Sequence, residues 1–197
     1  IVGYCVFLTI ISCSFSQKIK DGEMAFERKQ YAVALELLEE EYEKTKNETQ
    51  KARKAWLLGQ SLMKLLEYED AKSWYNKAIT HGYGVETLAS FARVSKLLED
   101  ECAIDAYQKI GIITGRKQET DRDILLCRQD LDYKAIAPEY EVERIFENSS
   151  VSDYSPVIYD EQYLLFTSER KEVTGKDVYN WTGERFSDIF IMMKNGS

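Results

Sequence analysis

Histidine and proline are nearly missing from this sequence, with one His and two Pro among 197 residues, and Cys occurs only four times. A lone imidazole leaves no His-rich metal centre and no mechanism that needs a second one. There is no G-x-S-x-G elbow, H-E-x-x-H pair, Walker A loop or C-x-x-C pair, which removes the motif-based routes to hydrolase, zinc protease, NTPase and thiol redox activity. Gly111-Ile112-Ile113-Thr114-Gly115-Arg116-Lys117 has the wrong glycine spacing for a phosphate loop and reads as a helix C-terminus and turn. Basic charge is also short. The 26 Lys and Arg against 34 Asp and Glu leave a net charge of −8, a surface that nucleic acid phosphates repel. No catalytic residue, metal ligand set, cofactor or nucleic acid partner is therefore expected. What remains, 44% hydrophobic and 30% charged, is a globular composition of a size for one or two domains.

Residues 1–16 contain no Lys, Arg, Asp or Glu, and Val6, Phe7, Leu8, Ile10 and Ile11 precede the small residues Ser12, Ser14 and Ser16. This is the layout of a signal-peptide apolar centre and cleavage zone, shorter than a membrane-spanning helix needs. Neither an initiator Met nor a basic segment precedes it, so the true N-terminus is expected a few residues upstream. Two processing routes are open. Ile10-Ile11-Ser12-Cys13 resembles a bacterial lipobox, which would make Cys13 a lipidated first residue and membrane anchor. Ser14-Phe15-Ser16 before Gln17 instead resembles an ordinary cleavage site. Cys102 and Cys127 remain after cleavage, and both are expected as buried small apolar residues rather than as a disulfide.

Self-similarity is the strongest signal. Ala55, Leu58, Gly59, Leu62, Ala71, Tyr75 and Ala78 reproduce the small and large positions of a tetratricopeptide (TPR) repeat at their relative spacings. Gly22, Ala34 and Leu38 repeat the offsets of Gly59, Ala71 and Tyr75. Downstream, Ala103, Tyr107 and Ile110 copy Ala71, Tyr75 and Ala78, although Phe91 stands where a glycine is expected. Small residues let paired helices approach closely while the large ones fill the wedge between hairpins. Tyr31, Ala34, Leu35, Leu38 and Tyr42 form one helical stripe, and Glu39-Glu40-Glu41 lie largely off it as a solvated face. The surplus length between the first two repeats is expected in the turn Lys46-Asn47-Glu48-Thr49, and His81 in an inter-repeat turn. Thr120 and Asp123 form a capping-box pattern before Ile124-Leu125-Leu126-Cys127, predicting a further helix that covers the third hairpin, with Leu125 in its buried face.

After Pro138 the period shifts toward two, with Tyr140, Val142 and Phe146 alternating with charged residues. Strands are predicted at Ser155–Tyr159, Tyr163–Thr167 and Asp188–Met193, with Pro156 tolerable only at a strand start or edge. The domain division is thus 1–16 signal peptide, 17–137 helical repeats with a capping helix, and 138–197 the start of a β unit. The fold class is mainly α: a TPR helical-hairpin solenoid followed by an incomplete antiparallel β segment.

Asp153-Tyr154-Ser155-Pro156-Val157, Tyr163-Leu164-Leu165-Phe166-Thr167-Ser168-Glu169-Arg170 and Phe186-Ser187-Asp188-Ile189-Phe190 resemble the opening blade of the WD-repeat-like β-propellers in exported OmpA-family envelope proteins of Gram-negative bacteria. In that family a signal sequence, TPR repeats, a propeller and a peptidoglycan-binding domain follow in order, and the first three match this sequence. Some relatives resemble parts of the type IX secretion machinery. The resemblance implies an N-terminal fragment carrying the first blade of the β-propeller, located in the periplasm in association with the outer membrane, with peptidoglycan bound only through a further C-terminal domain. Asn47, Asn148 and Asn180 open glycosylation-like triplets that are then read as turn chemistry.

Mapping the repeat points Glu23, Phe26, Arg53, Trp56, Gln60, Met63, Leu88, Ala92 and Lys96 toward a concave groove where a partner protein would lie. Trp56 and Met63 are the expected anchors, since desolvated aromatic and Met side chains dominate interface energetics. Packing within the repeat is the competing role for Trp56. The function expected is a non-catalytic scaffold that binds protein partners through its repeats. The alternative is a substrate-binding module that recognises glycan or peptide through a complete propeller.

Overall fold

The structure, a computed structural model, describes residues 18–134, 136, 141, 144 and 148–193. Cys13 with the rest of residues 1–16, the proposed boundary at 137, and Tyr140, Val142 and Phe146 lie outside the described residues. Among the described residues the chain is mainly helical with one small antiparallel sheet. The helices are α1 (Gly22–Glu27), α2 (Tyr31–Lys44), α3 (Glu48–Lys64), α4 (Tyr68–Thr80), α5 (Val85–Leu97), α6 (Cys102–Thr114) and α7 (Lys117–Lys134). Each packs on the next, and α1 also reaches α3.

Side-chain oxygens start two of these helices. Asp21 accepts from the Met24 N–H at 2.8 Å and Asn47 from the Gln50 N–H at 3.0 Å, each satisfying a donor that the first helical turn leaves free. Asn47 is thus turn chemistry, as expected, but Glu48 and Thr49 already belong to α3. The extra length between the first two repeats therefore lengthens a helix rather than a turn.

The turns recur. Lys29, Leu66 and Glu99, in the links α1–α2, α3–α4 and α5–α6, all have positive φ of 59°, 66° and 52°. After each, a backbone N–H reaches a carbonyl five residues back: Gln30 to Ala25, Glu67 to Leu62 and Asp100 to Ser95, at 2.9 to 3.0 Å. This 6→1 bond satisfies a helix-end carbonyl and sends the chain back on itself.

Small residues set the closest approaches. A methyl group on Gly59 would lie 2.5 Å from the Tyr75 ring, and one on Gly22 would lie 2.5 Å from Leu38 Cγ. The two glycines thus form matched notches, each filled by the large residue sixteen positions later that the sequence offsets single out. Leu38, Leu58 and Tyr75 are fully or almost fully buried as a result. Helix α5 of the third hairpin has no glycine at the equivalent position. Phe91 stays half-buried against the cluster around Tyr75 and Val94, and fully buried Ala92, Ser95 and Ala103 supply the small contacts.

Two expectations for the end of the stack are corrected. Helix α7 begins at Lys117, so Thr120 is not an N-cap; it is buried within the first turn, its hydroxyl bonded to the Arg116 and Lys117 carbonyls. Leu125 is exposed, and the face turned to α6 carries Thr120, Ile124 and Cys127 instead. Hydrophobic identity could not show which member of a consecutive apolar run points inward; only the helix phase does. Cys127 is buried as expected, whereas Cys102 is exposed, and both are free thiols.

The sheet contains β1 (Asp153–Tyr159), β2 (Tyr163–Ser168) and β3 (Asp188–Met193), antiparallel and in that order. Pro156 sits on the edge strand β1 at a register shift between Tyr154 and Val157, where its missing N–H breaks no regular ladder. Pairing of Tyr163 with Met193 and Tyr159, and of Leu165 with Ile191 and Val157, lines up one apolar face. On the other face Arg170 lies over the rings of Phe166 and Phe190, 4.7 and 4.9 Å from their centroids.

Candidate partner-binding face

Odd-numbered helices carry the candidate residues, and polar contacts tie these helices together one after another. The Arg53 guanidinium on α3 pairs with Glu23 on α1. Gln60 Nε2 donates to Ser90 Oγ, linking α3 to α5 at 3.1 Å. Lys96 on α5 lies 3.7 Å from Asp130 on α7. Of the candidates, only Glu23 and Arg53 pair with each other, while Gln60 and Lys96 reach Ser90 and Asp130, and the three contacts form rungs across α1, α3, α5 and α7. Exposed pairs of this kind contribute only about 0–1 kcal/mol each, so their main effect is to set how neighbouring helices align.

The apolar candidates divide. Trp56 is half-buried, packs against both clusters of the helical core and stacks on Tyr83 with centroids 5.7 Å apart. Its Nε1 is buried and makes no hydrogen bond. Met63 is half-buried against Tyr75 and Val94, and Phe26 meets Tyr31 edge to face at 5.5 Å. Leu88 is half-buried and lines a cavity of about 440 Å³ with Tyr83, Val85 and Ile112. Ala92 is wholly buried and cannot touch a partner, which corrects its place in the set. The stripe of α5 that packs inward includes Ala92, because this helix packs through small residues other than glycine.

Several structural residues carried no sequence signal. Glu41, expected on a solvated face, accepts the Gly22 N–H at 2.9 Å and pairs with Lys54, so it joins α1, α2 and α3. His81 is more than a turn residue. Its Nδ1 lies 2.6 Å from Glu48 and its Nε2 3.0 Å from the Tyr42 hydroxyl, which ties the end of α4 to α2 and α3. Burial pushes the Tyr42 phenol pKa up, helped by the charges of Glu43 and Glu48. In the turn before α6, the Asp100 carboxyl is drawn down to about 2 by hydrogen bonds from Lys72 and the Cys102 backbone.

The β unit reaches the helices through the turn 178–185. The Ala32 N–H, a free donor in the first turn of α2, bonds to the Trp181 carbonyl at 3.2 Å, and the Trp181 ring meets Tyr31 edge to face at 4.9 Å. Gly183 has φ of 79° and a methyl there would lie 3.0 Å from Ala32 Cβ, so both its backbone and the close contact call for glycine. Within the sheet, burial alone would raise the Asp153 carboxyl, but hydrogen bonds from Ser168, Arg170 and Ser149 outweigh it and hold the group far below the carboxylate range. Asp153 and Arg170 are paired at 2.9 Å with little exposure.

Among the described residues, no group of three His, Cys, Asp or Glu side chains is placed to hold a metal ion, and no helix is long and apolar enough to cross a membrane. Compared with known proteins, the chain matches no family model and no curated protein.

Proposed function

We propose that this chain is a non-catalytic scaffold whose helices form TPR-like repeats and hold a partner polypeptide against the odd-numbered helices. The carrying observation is that matched glycine notches, three equivalent left-handed turns and polar rungs repeat along one stack. Repetition aligned in this way makes a continuous side on which Phe26, Trp56 and Met63 offer apolar contact between polar rungs. The sheet, with one apolar face uncovered, is read as one blade of a β-propeller, a fold in which neighbouring sheets supply the second layer. The blade-like motifs and the apolar N-terminal segment support export to the periplasm and association with the outer membrane, in the manner of OmpA-family envelope proteins.

Photocrosslinking tests this reading. A photoreactive residue replacing Gln60 in the full chain should yield adducts with a polypeptide in an envelope preparation. Trp56→Ala with Met63→Ala should remove them, and so should the exposed Arg53→Glu. Adducts that persist in both variants, or none at all, would overturn the proposal.

A further inference from the structure

We propose that the groove between α6 and α7 is a separate docking surface, which takes an amphipathic helix carrying acidic residues beside its apolar stripe. On α6, Gln108, Gly111 and Ile112 share one stripe at helical spacing; on α7, Thr120, Ile124, Leu125 and Arg128 share another. The helices touch where Gly111 meets Thr120, since a methyl on the glycine would lie 2.4 Å from the threonine hydroxyl. Beyond that contact the surfaces diverge into a groove of about 690 Å³. Its apolar walls are open: Ile112 is 83% exposed and Leu125 56%, and Ile112 also lines the adjoining 440 Å³ cavity.

Charge identifies the occupant. Lys117 and Arg128 line the groove and Lys109 the adjoining cavity, and none has an ion-pair partner among the described residues. Asp121 is the one carboxylate among the residues lining these two hollows. On a chain of net charge −8 this is a local reversal of sign. A bare apolar trough between two packed helices accepts a third helix by ridges and grooves, and unpaired cations along it favour acidic flanks and speed encounter. The groove itself lies on α6 and α7, whereas the face proposed above is carried by Phe26, Trp56 and Met63 on α1 and α3; the two meet only at the cavity that Leu88 and Ile112 both line, and the two readings stand or fall separately.

Fluorescence anisotropy on the full chain tests it with a synthetic helical peptide bearing Leu on one face and Glu along both borders, and a sister peptide with Lys in place of every Glu. The Glu peptide is expected to bind at least about tenfold more tightly than its sister. Ile112→Asp, a change at an exposed site, should weaken it by about tenfold or more while the far-UV spectrum stays unchanged. Lys117→Glu with Arg128→Glu should reverse the preference. Equal binding of both peptides, or binding indifferent to Ile112→Asp, would overturn the proposal. Self-association of the chain that Ile112→Asp abolishes would also overturn it, by assigning the groove to a second copy.

Discussion

The helical stack and the sheet use apolar side chains in opposite ways. In the stack, Leu38, Leu58 and Tyr75 lose essentially all contact with water. In the sheet, Val157, Ile189 and Ile191 are 60%, 77% and 62% exposed, and Phe166 is its buried apolar residue, with Val173 buried in the segment between β2 and β3. Each inner helix of the stack has a neighbour on either side, so one hairpin buries the next. A three-stranded sheet has two faces and no second layer of its own, and its inner face is held instead by Arg170 over two rings and by the Asp153 cluster. The stack's stability should therefore rest on volume and the sheet's on charge.

The largest effect that tests this contrast is expected at Tyr75→Ala, which empties a fully buried notch and should cost about 3–5 kcal/mol in urea unfolding followed by helical circular dichroism. An effect below about 1 kcal/mol would mean that the Gly59–Tyr75 notch does not organise the stack. Next comes Asp153→Asn, which removes one side of a largely buried ion pair and should cost the sheet about 2 kcal/mol. The pH dependence has the same origin. Because the folded carboxyl lies below its ordinary value of 3.8, its contribution is present above that value and is lost as pH falls beneath it. The protection of β1 and β2 amides, taken relative to the intrinsic exchange rate at each pH, should fall in acid below about pH 4, and in Asp153→Asn this acid sensitivity should shrink. A sheet whose protection relative to the intrinsic rate is unchanged down to about pH 2 would remove Asp153 from its role.

A smaller effect is expected where the two regions meet. Trp181→Ala deletes the ring on Tyr31 and should loosen the turn 178–185 by about 1 kcal/mol, seen as faster proteolysis there with helical melting unchanged. The smallest belongs to Leu125→Asp. An exposed position should move the melting free energy by no more than about 0.5 kcal/mol, whereas Ile124→Ala, at a buried one, should cost about 2 kcal/mol or more. Equal effects from the two would return Leu125 to the buried face.

Much of the architecture was legible as spacing. The twelve-residue steps from Gly22 to Ala34 and Gly59 to Ala71 marked helices that approach closely, because only small residues permit it. The strands at 153–168 and 188–193 were legible from alternation and turn residues, within two residues at every end. The candidate face was legible in part. Glu23, Arg53, Gln60 and Lys96 do align along consecutive odd-numbered helices, while Ala92 turned inward and Leu125 outward because a one-residue change of helix phase rotates a side chain by about 100°.

Long-range polar partners were not legible at all. Nothing near Glu41 announces Gly22 and Lys54, nothing near His81 announces Tyr42 and Glu48, and Trp181 meets Tyr31 across most of the described chain. Local sequence determined which segments became helix or strand and where close packing was allowed, since both depend on the size and period of neighbouring residues. Only the tertiary structure decided which charges pair, which apolar residues stay in water and where the β unit touches the stack. Those outcomes depend on distances between residues that the chain order leaves far apart.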